Sequence, residues 1–338
     1  MRTRWAVVGT GAIATDQFAP AIREMEDSEI VAAIDMNPDA AKAFAKQFGV
    51  PYSTNKVAEL STMDNVDAVY IATWPSSHLE NITVAAQAGK HILCEKPAAA
   101  SLRDAEKIID VCDRAKVKLM IGYMMRFTSA HVKMKELLRD SFTDKIVMVK
   151  ADSFTSFRMR WGNEFDKTFR FDKTKGGIGL LMDMGIHVID LIRFLTNKEI
   201  VSVHSMGASL SCGTEVEDTS VTTFQFDDGS YGSVNICGDI PYGRNGLELY
   251  SNHGALIAER SIGRRPEAKR VRMLNRDGWK EYSVDINNPF FQEITYFQTC
   301  IHSDTYPQPD AREDLNNLKV ILAAYESMKQ KRAISIER

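Results

Sequence analysis

Along the first third of the chain, short apolar runs alternate with stretches where apolar residues recur every three or four positions. The runs fall at 5–8, 29–35, 66–72, 91–94 and 119–122, and a further short strand is expected near 51–53. Apolar runs this short, bounded by turn residues, predict strands buried on both faces. The stretches between them predict helices over about 16–26, 38–48, 78–88 and 102–115. Gly49 and Gly89 stop two of these, as glycine often does at a helix C-terminus. Strands alternating with helices of this length predict a parallel, doubly wound sheet over residues 1–122.

After Gly122 the alternation changes. Residues 123–127 read as a linker, 129–139 as a helix and 145–152 as a strand. Three pairs of apolar runs then flank turn signals. Residues 220–226 and 231–236 enclose Asp227-Asp228-Gly229-Ser230. Residues 247–250 and 255–259 enclose Asn252-His253-Gly254, and 271–274 and 280–284 enclose Arg276-Asp277-Gly278. These are hairpins, and together they predict a large, mainly antiparallel sheet with one open face. Helices close the chain near 288–301 and 311–329. The fold class is thus α/β followed by α+β. The expected domains are 1–122, 123–310, and a C-terminal helix in 311–338 that packs back towards the first domain.

Composition narrows the function classes. The chain is 44% apolar and 26% charged, which is globular rather than disordered. Its net charge of −3 gives no footprint for nucleic acid or an anionic membrane. No apolar run is long enough to span a bilayer. The stretch Met1-Arg2-Thr3-Arg4-Trp5 runs straight into a strand without the apolar core and small-residue cleavage site of a secretory signal, so none is expected. Five scattered cysteines fit a reducing compartment, so a cytoplasmic location is expected.

The first apolar run ends at Gly9-Thr10-Gly11-Ala12-Ile13-Ala14, a G-x-G-x-x-A pattern. The first glycine permits a tight turn and the second lets a pyrophosphate approach the backbone. The third position needs only a small side chain where helix meets sheet. The next helix would aim its N-terminal amides at the phosphates. The second run ends on Asp35, near the interval expected for an acid that binds the adenosine ribose. Asp35 would repel a 2′-phosphate, and Met36-Asn37 supplies no arginine to offset that, so NAD is favoured over NADP. Asp35 or Asn37 would alternatively cap the helix that starts at Pro38. Together these signals describe a Rossmann dinucleotide-binding domain.

Two further strand ends carry chemistry. The fourth strand leads into Thr73-Trp74-Pro75-Ser76-Ser77-His78, and the fifth into Glu95-Lys96-Pro97. Both lie at the carboxyl edge of the sheet, where such folds bind ligands. An ammonium at the end of a buried strand must be solvated or paired. With Gly9-Thr10-Gly11, these segments follow one another at the spacing of the glucose-fructose oxidoreductase and inositol dehydrogenase family, which the whole chain resembles. The resemblance implies that Lys96 stands at the nicotinamide and contacts the reacting oxygen, with Glu95 beside the cofactor. It implies cofactor contacts for Thr73, Trp74, His78 and Trp161, a cis bond before Pro97, and a substrate pocket lined by residues 123–127. It also implies a homodimer or homotetramer formed through the open sheet.

In the second domain, Arg126 has two readings, a ligand for substrate or cofactor oxygens and a structural ion pair. Residues 154–171 interleave aromatics with Arg158, Arg160 and Arg170. This stretch is either a carbohydrate-binding cleft wall, with Arg158 on substrate oxygens, or a packed loop. Gly176-Gly177-Ile178-Gly179 precedes Asp183 and His187, four residues apart and so on one helix face. That pair is a core hydrogen bond, half of a metal site for which no third ligand is evident, or a catalytic pair. The resemblance favours catalysis, with His187 as acid/base beside Lys96 and no metal. His131, His204, His253 and His302 read as structural.

The expected activity is hydride transfer between a nicotinamide and a carbinol or carbonyl carbon of a sugar, polyol or related small molecule. Two alternatives share the scaffold. One is an oxidoreductive glycosidase that oxidises its sugar transiently. The other is a non-catalytic NAD-binding sensor or repressor.

Overall fold

The computed structural model describes residues 2–142, 145–162, 171 and 179–337, with the side chains of residues 160 and 161 outside the description. The chain divides into two compact units, Met1–Tyr123 with Phe290–Leu315, and Met124–Pro289 with Asn316–Arg338.

The first unit is built on six parallel strands: β1 (Thr3–Val8), β2 (Ser28–Ile34), β3 (Tyr52–Thr54), β4 (Ala68–Ile71), β5 (His91–Glu95) and β6 (Leu119–Gly122). Their order is β3-β2-β1-β4-β5-β6, every neighbouring pair parallel. The order reverses between β1 and β4, so the crevice beyond their carboxyl ends is the expected ligand site. The helices are α1 (Ala19–Arg23), α2 (Pro38–Phe48), α3 (Pro75–Gln87) and α4 (Leu102–Ala115). Asn37 caps α2 by accepting from the Asp39 N–H at 3.0 Å, and Gly49 ends it at φ 72°. Ser101 caps α4 in the same way.

Two helix starts differ from expectation. Residues Ala14–Phe18 form a π-helical turn ahead of α1. Pro20 lacks the N–H that would close the α-ladder onto Asp16, and the ladder widens before it. Helix α3 starts at Pro75 rather than at 78, because proline suits the first helical position.

The division of the chain also differs from the expected 1–122, 123–310 and 311–338. Helix α8 (Pro289–His302), expected in the second domain, belongs to the first unit. Its Ile294 and Phe297 join a core with Trp5, Phe18, Tyr70, Leu93 and Met120. Phe18 stacks on Tyr70 at 3.9 Å, and Trp5 meets Phe18 edge-on at 5.3 Å. Gln298 also donates to Ser28, and His302 bonds Thr3 at 3.1 Å. Helix α9 (Ala311–Gln330) begins in the first unit and continues into the second from Asn316. The apolar spacing of both helices predicts their existence but names no partner core.

Among the described residues the second unit holds nine strands. They are β7 (Ile146–Phe154), β8 (Ile200–Ala208), β9 (Thr219–Phe226), β10 (Tyr231–Cys237), β11 (Gly246–Ser251), β12 (Gly254–Glu259), β13 (Arg270–Asn275), β14 (Gly278–Ser283) and β15 (Ile334–Ser335). Their order is β14-β13-β12-β11-β7-β10-β9-β8-β15, antiparallel except for the β10–β7 pair. Three of these antiparallel pairs are the expected hairpins. Neither β8 nor β15 is among the strands expected from sequence: β8 carries Ile200, Val201 and Val203 with no turn signal to mark it as half of a hairpin, and β15 is only two residues long. Helices α5 (Ser129–Asp140) and α7 (Ile186–Thr196) pack on this sheet, and a short helix α6 (Phe157–Trp161) follows β7. Met148, Met206, Val221 and Tyr231 remain exposed.

Candidate active site

Of the loops that leave the carboxyl edge of the first unit's sheet, those after β1, β4 and β5 carry most of its candidate residues. Gly9 adopts φ +90°, and a Cβ there would lie 2.7 Å from the Ala72 carbonyl and 2.9 Å from Thr73 Cγ2. Only glycine lets the β1 turn rest against the end of β4. A Cβ on Gly11 would meet nothing within 4 Å, so that face of the turn is open. Ala14, at the third position of the pattern, is fully buried between helix and sheet. Ala12 is exposed and Ile13 partly so. No side chain caps the helix that starts here. Open space at Gly11 and uncapped helix amides suit a pyrophosphate.

Asp35, at the end of β2, is half-buried and faces the same turn. Its Oδ2 accepts from the Thr10 backbone N–H at 2.8 Å and from the Thr10 hydroxyl at 3.0 Å. Its Oδ1 accepts from the Asn37 N–H at 2.9 Å. The capping role on α2 falls to Asn37, leaving Asp35 to fix the glycine turn. The carboxylate keeps further acceptor capacity for ribose hydroxyls.

The other two loops carry the remaining first-unit candidates. Thr73 accepts from the Asn81 side chain at 3.1 Å, and Trp74 is 40% exposed. Glu95 accepts from the Tyr70 hydroxyl at 2.7 Å. Lys96 is half-buried at the end of β5 and precedes a cis bond to Pro97. His78 is another residue in these loops for which the resemblance implies a cofactor contact. It is fully buried, with Nδ1 2.9 Å from the Pro97 carbonyl and Nε2 3.0 Å from the Thr73 carbonyl. Its ring is committed to backbone, because the early start of α3 turns it inward. Burial pushes its pKa down, against the opposing pull of these carbonyls.

In the second unit, Asp183 lies in a π-helical turn, Leu181–Gly185, that runs into α7, and His187 is buried in the first turn of α7. π-Turns recur at functional sites. Glu217 organises this turn. Its backbone carbonyl accepts from the Leu180 N–H at 3.2 Å and its Oε1 from the Leu181 N–H at 2.7 Å. The Tyr325 hydroxyl donates to the same Oε1 at 2.9 Å and accepts from the Met182 N–H at 3.2 Å. Three successive amides at the helix start are thereby satisfied. Burial pushes Glu217 up to about 7, against the pull of those donors. Burial and the neighbouring carboxylate also push Tyr325 well above its ordinary value. Neither residue is legible as functional from sequence. The only hint is the Glu217-Asp218 acid pair just before β9.

Arg126 forms an ion pair, as one of its two readings has it. The guanidinium is buried and grips Asp190 through Nε at 2.7 Å and a terminal nitrogen at 2.6 Å. Asn317 donates to the same carboxylate and accepts from Arg193, which in turn holds Glu199 at 2.7 Å. Arg158 is exposed, with Asp239 at 3.3 Å and the Ser211 carbonyl at 3.2 Å. The Trp161 side chain, like most of the aromatic and arginine-rich stretch, lies outside the described residues. Among the described residues, no cluster of His, Cys, Asp or Glu could hold a metal ion, and no helix is long and apolar enough to cross a membrane.

A doubly wound sheet with an open glycine turn and an acid at the end of β2 defines a dinucleotide-binding protein. Residues 3–123 match the model of the oxidoreductase family with an NAD-binding Rossmann fold, and residues 131–257 match the GFO/IDH/MocA C-terminal domain. The chain belongs to the GFO/IDH/MocA family of oxidoreductases, with NAD or NADP as cofactor. It is 25% identical over 335 residues to a 1,5-anhydro-D-fructose reductase of Ensifer adhaerens, covering 99% of this chain and 98% of the relative. It is 27% identical over 347 residues to an inositol 2-dehydrogenase of Rhizobium meliloti, covering 99% and 100%. Among solved structures it resembles an aldose-aldose oxidoreductase from Caulobacter crescentus complexed with glycerol. That match has a TM-score of 0.89 and 26% identity, covering 99% of this chain and 100% of that one.

Proposed function

We propose that this chain transfers a hydride between a nicotinamide and a carbinol or carbonyl carbon of a sugar, polyol or sugar derivative. The observation that carries the proposal is the position of Lys96. It leaves the same sheet edge as the open glycine turn, at the end of β5, beside the β1–β4 switch point. The relatives named for reduction or oxidation of anhydrofructose and inositol support the substrate class. Asp35 supports NAD over NADP, since a carboxylate there repels a 2′-phosphate. Gly9, Thr10, Gly11, Ala12 and Ile13 would hold the pyrophosphate. Asp35 would hold the ribose, and Thr73, Trp74 and Glu95 the part of the cofactor nearer Lys96.

When bound, the nicotinamide accepts or supplies the hydride. In the oxidative direction, His187 takes the hydroxyl proton as the base, oriented by Asp183, which also stabilises the imidazolium. Lys96 stabilises charge that develops on the substrate oxygen. In reduction the same groups return the proton. The exposed residues Met148, Met206, Val221 and Tyr231 support self-association through the open sheet, as a dimer or tetramer. Five buried free cysteines support a reducing cytoplasm.

The test is a screen of sugars, polyols and their glycosides with NAD and NADP, read by nicotinamide absorbance, followed by Lys96→Ala and His187→Ala. Each variant should lose roughly 100-fold or more in kcat while still binding NAD. Wild-type turnover in either rejects its assignment. Aglycone release without net NADH would point instead to a glycosidase.

A further inference from the structure

Two fully buried ionisable residues hold opposite ends of one peptide group. The His78 Nδ1 lies 2.9 Å from the Pro97 carbonyl oxygen, and the Ala98 N–H donates to Asp314 Oδ2 at 2.9 Å. These two atoms belong to the same peptide unit, the one that follows the cis Lys96–Pro97 bond. Both residues are 0% exposed. Asp314 is itself fixed, since its Oδ1 accepts from the buried Tyr123 hydroxyl at 2.5 Å. The other His78 nitrogen reaches the Thr73 carbonyl, so one imidazole ties together the loops after β4 and β5.

We infer that His78 and Asp314 are positioning residues that fix Lys96 by gripping the Pro97–Ala98 peptide between a donor and a carboxylate. Lysine is a long, flexible side chain, and its reach is reproducible only if its own backbone is held. Alternating purchase on both ends of the next peptide plane supplies that hold. A neutral imidazole has one N–H, so its two carbonyl contacts are unequal. Asp314 decides between them. By accepting from the Ala98 N–H it polarises the peptide and makes the Pro97 oxygen the stronger acceptor. The ring proton therefore belongs on Nδ1. Charged groups close to this arrangement include Lys96, Glu95 and Asp314, all in the first unit.

The inference deepens the proposed role of Lys96, and part of its test works without turnover. The full-length protein, labelled at histidine nitrogen, should show His78, assigned by loss of its signal in His78→Ala, carrying a proton on Nδ1. A bare Nδ1 overturns the inference. Two further variants move the donor. His78→Asn places an amide nitrogen near the Nδ1 position, whereas His78→Gln reaches towards the Nε2 position. With lysines reductively methylated by labelled formaldehyde, the Lys96 signal, assigned with Lys96→Ala, should stay in place in His78→Asn and move in His78→Gln.

On any substrate found by the screen, His78→Gln should lose about 10- to 100-fold in kcat with KM and NAD affinity little changed. His78→Asn should stay within about threefold of wild type, the conservative variant rescuing the placement. An unmoved Lys96 signal and wild-type kcat in a folded His78→Gln overturn the inference. Equal losses in both variants that follow the folded fraction overturn it as well. If wild-type protein turns over no carbohydrate, hydride transfer to that class fails, while the proton position and the Lys96 signal still decide this inference.

Discussion

A Cβ built on Gly179 would sit 1.6 Å from Oε2 of Glu217. Gly179 also adopts φ +105°, a conformation side chains rarely reach. The glycine thus makes room for the carboxylate that seats the start of the Asp183–His187 helix. Gly179→Ala must therefore displace Glu217, the turn, or both. It should cost roughly 2 kcal/mol or more of stability, combining backbone strain and overpacking. Thermal unfolding measures this, and an unchanged melting temperature would show that the turn yields freely.

Glu217 should also make stability depend on pH. Its pKa rises from 4.5 in the unfolded chain to about 7 in the fold. The folded state then holds the proton more tightly than the unfolded one between these values. Stability should fall as pH rises from about 4.5 to 7 and level off above, by at most about 3 kcal/mol from this group. Glu217→Gln carries no titrating proton and should lack that fall. Melting curves of both proteins from pH 5 to 8 would show it as a difference that grows with pH in favour of the variant.

The Arg126–Asp190 pair predicts a different asymmetry. Each side chain is nearly inaccessible, at 7% and 1% exposure. Asp190→Ala leaves a buried guanidinium without its carboxylate and should destabilise by roughly 3–5 kcal/mol. Replacing both, as Arg126→Met with Asp190→Leu, should cost clearly less than the two single changes summed. A double-mutant cycle in denaturant reads this coupling, and simple additivity would argue against it.

Cofactor choice should turn on the charge of Asp35 rather than on its hydrogen bonds. Asp35→Asn keeps an oxygen that can accept from Thr10 but removes the negative charge. The ratio of NADP to NAD dissociation constants should fall by about tenfold, a change of about 1.4 kcal/mol. Titration of both dinucleotides measures it, and an unchanged ratio would place the discrimination elsewhere.

The sequence by itself determined the parallel sheet of the first unit, the hairpins of the second and the places of the candidate groups along the chain. Hydrophobic period separates helix from strand locally, so α2, α4 and β6 were legible to the residue and the three hairpins to within a residue or two at each end. The glycine turn, Glu95-Lys96 and the Asp183–His187 spacing are local patterns and were legible for the same reason. Tertiary structure alone decided what those groups lean on. Asp314 meets Ala98 across 216 residues of chain, Arg126 meets Asp190 across 64, and Glu217 meets Leu181 across 36. It also decided that His78 faces backbone, that α8 belongs to the first core, and that β8 and β15 are strands at all. Burial and pairing of polar groups depend on which distant segments fold together, and no local period of side chains encodes that.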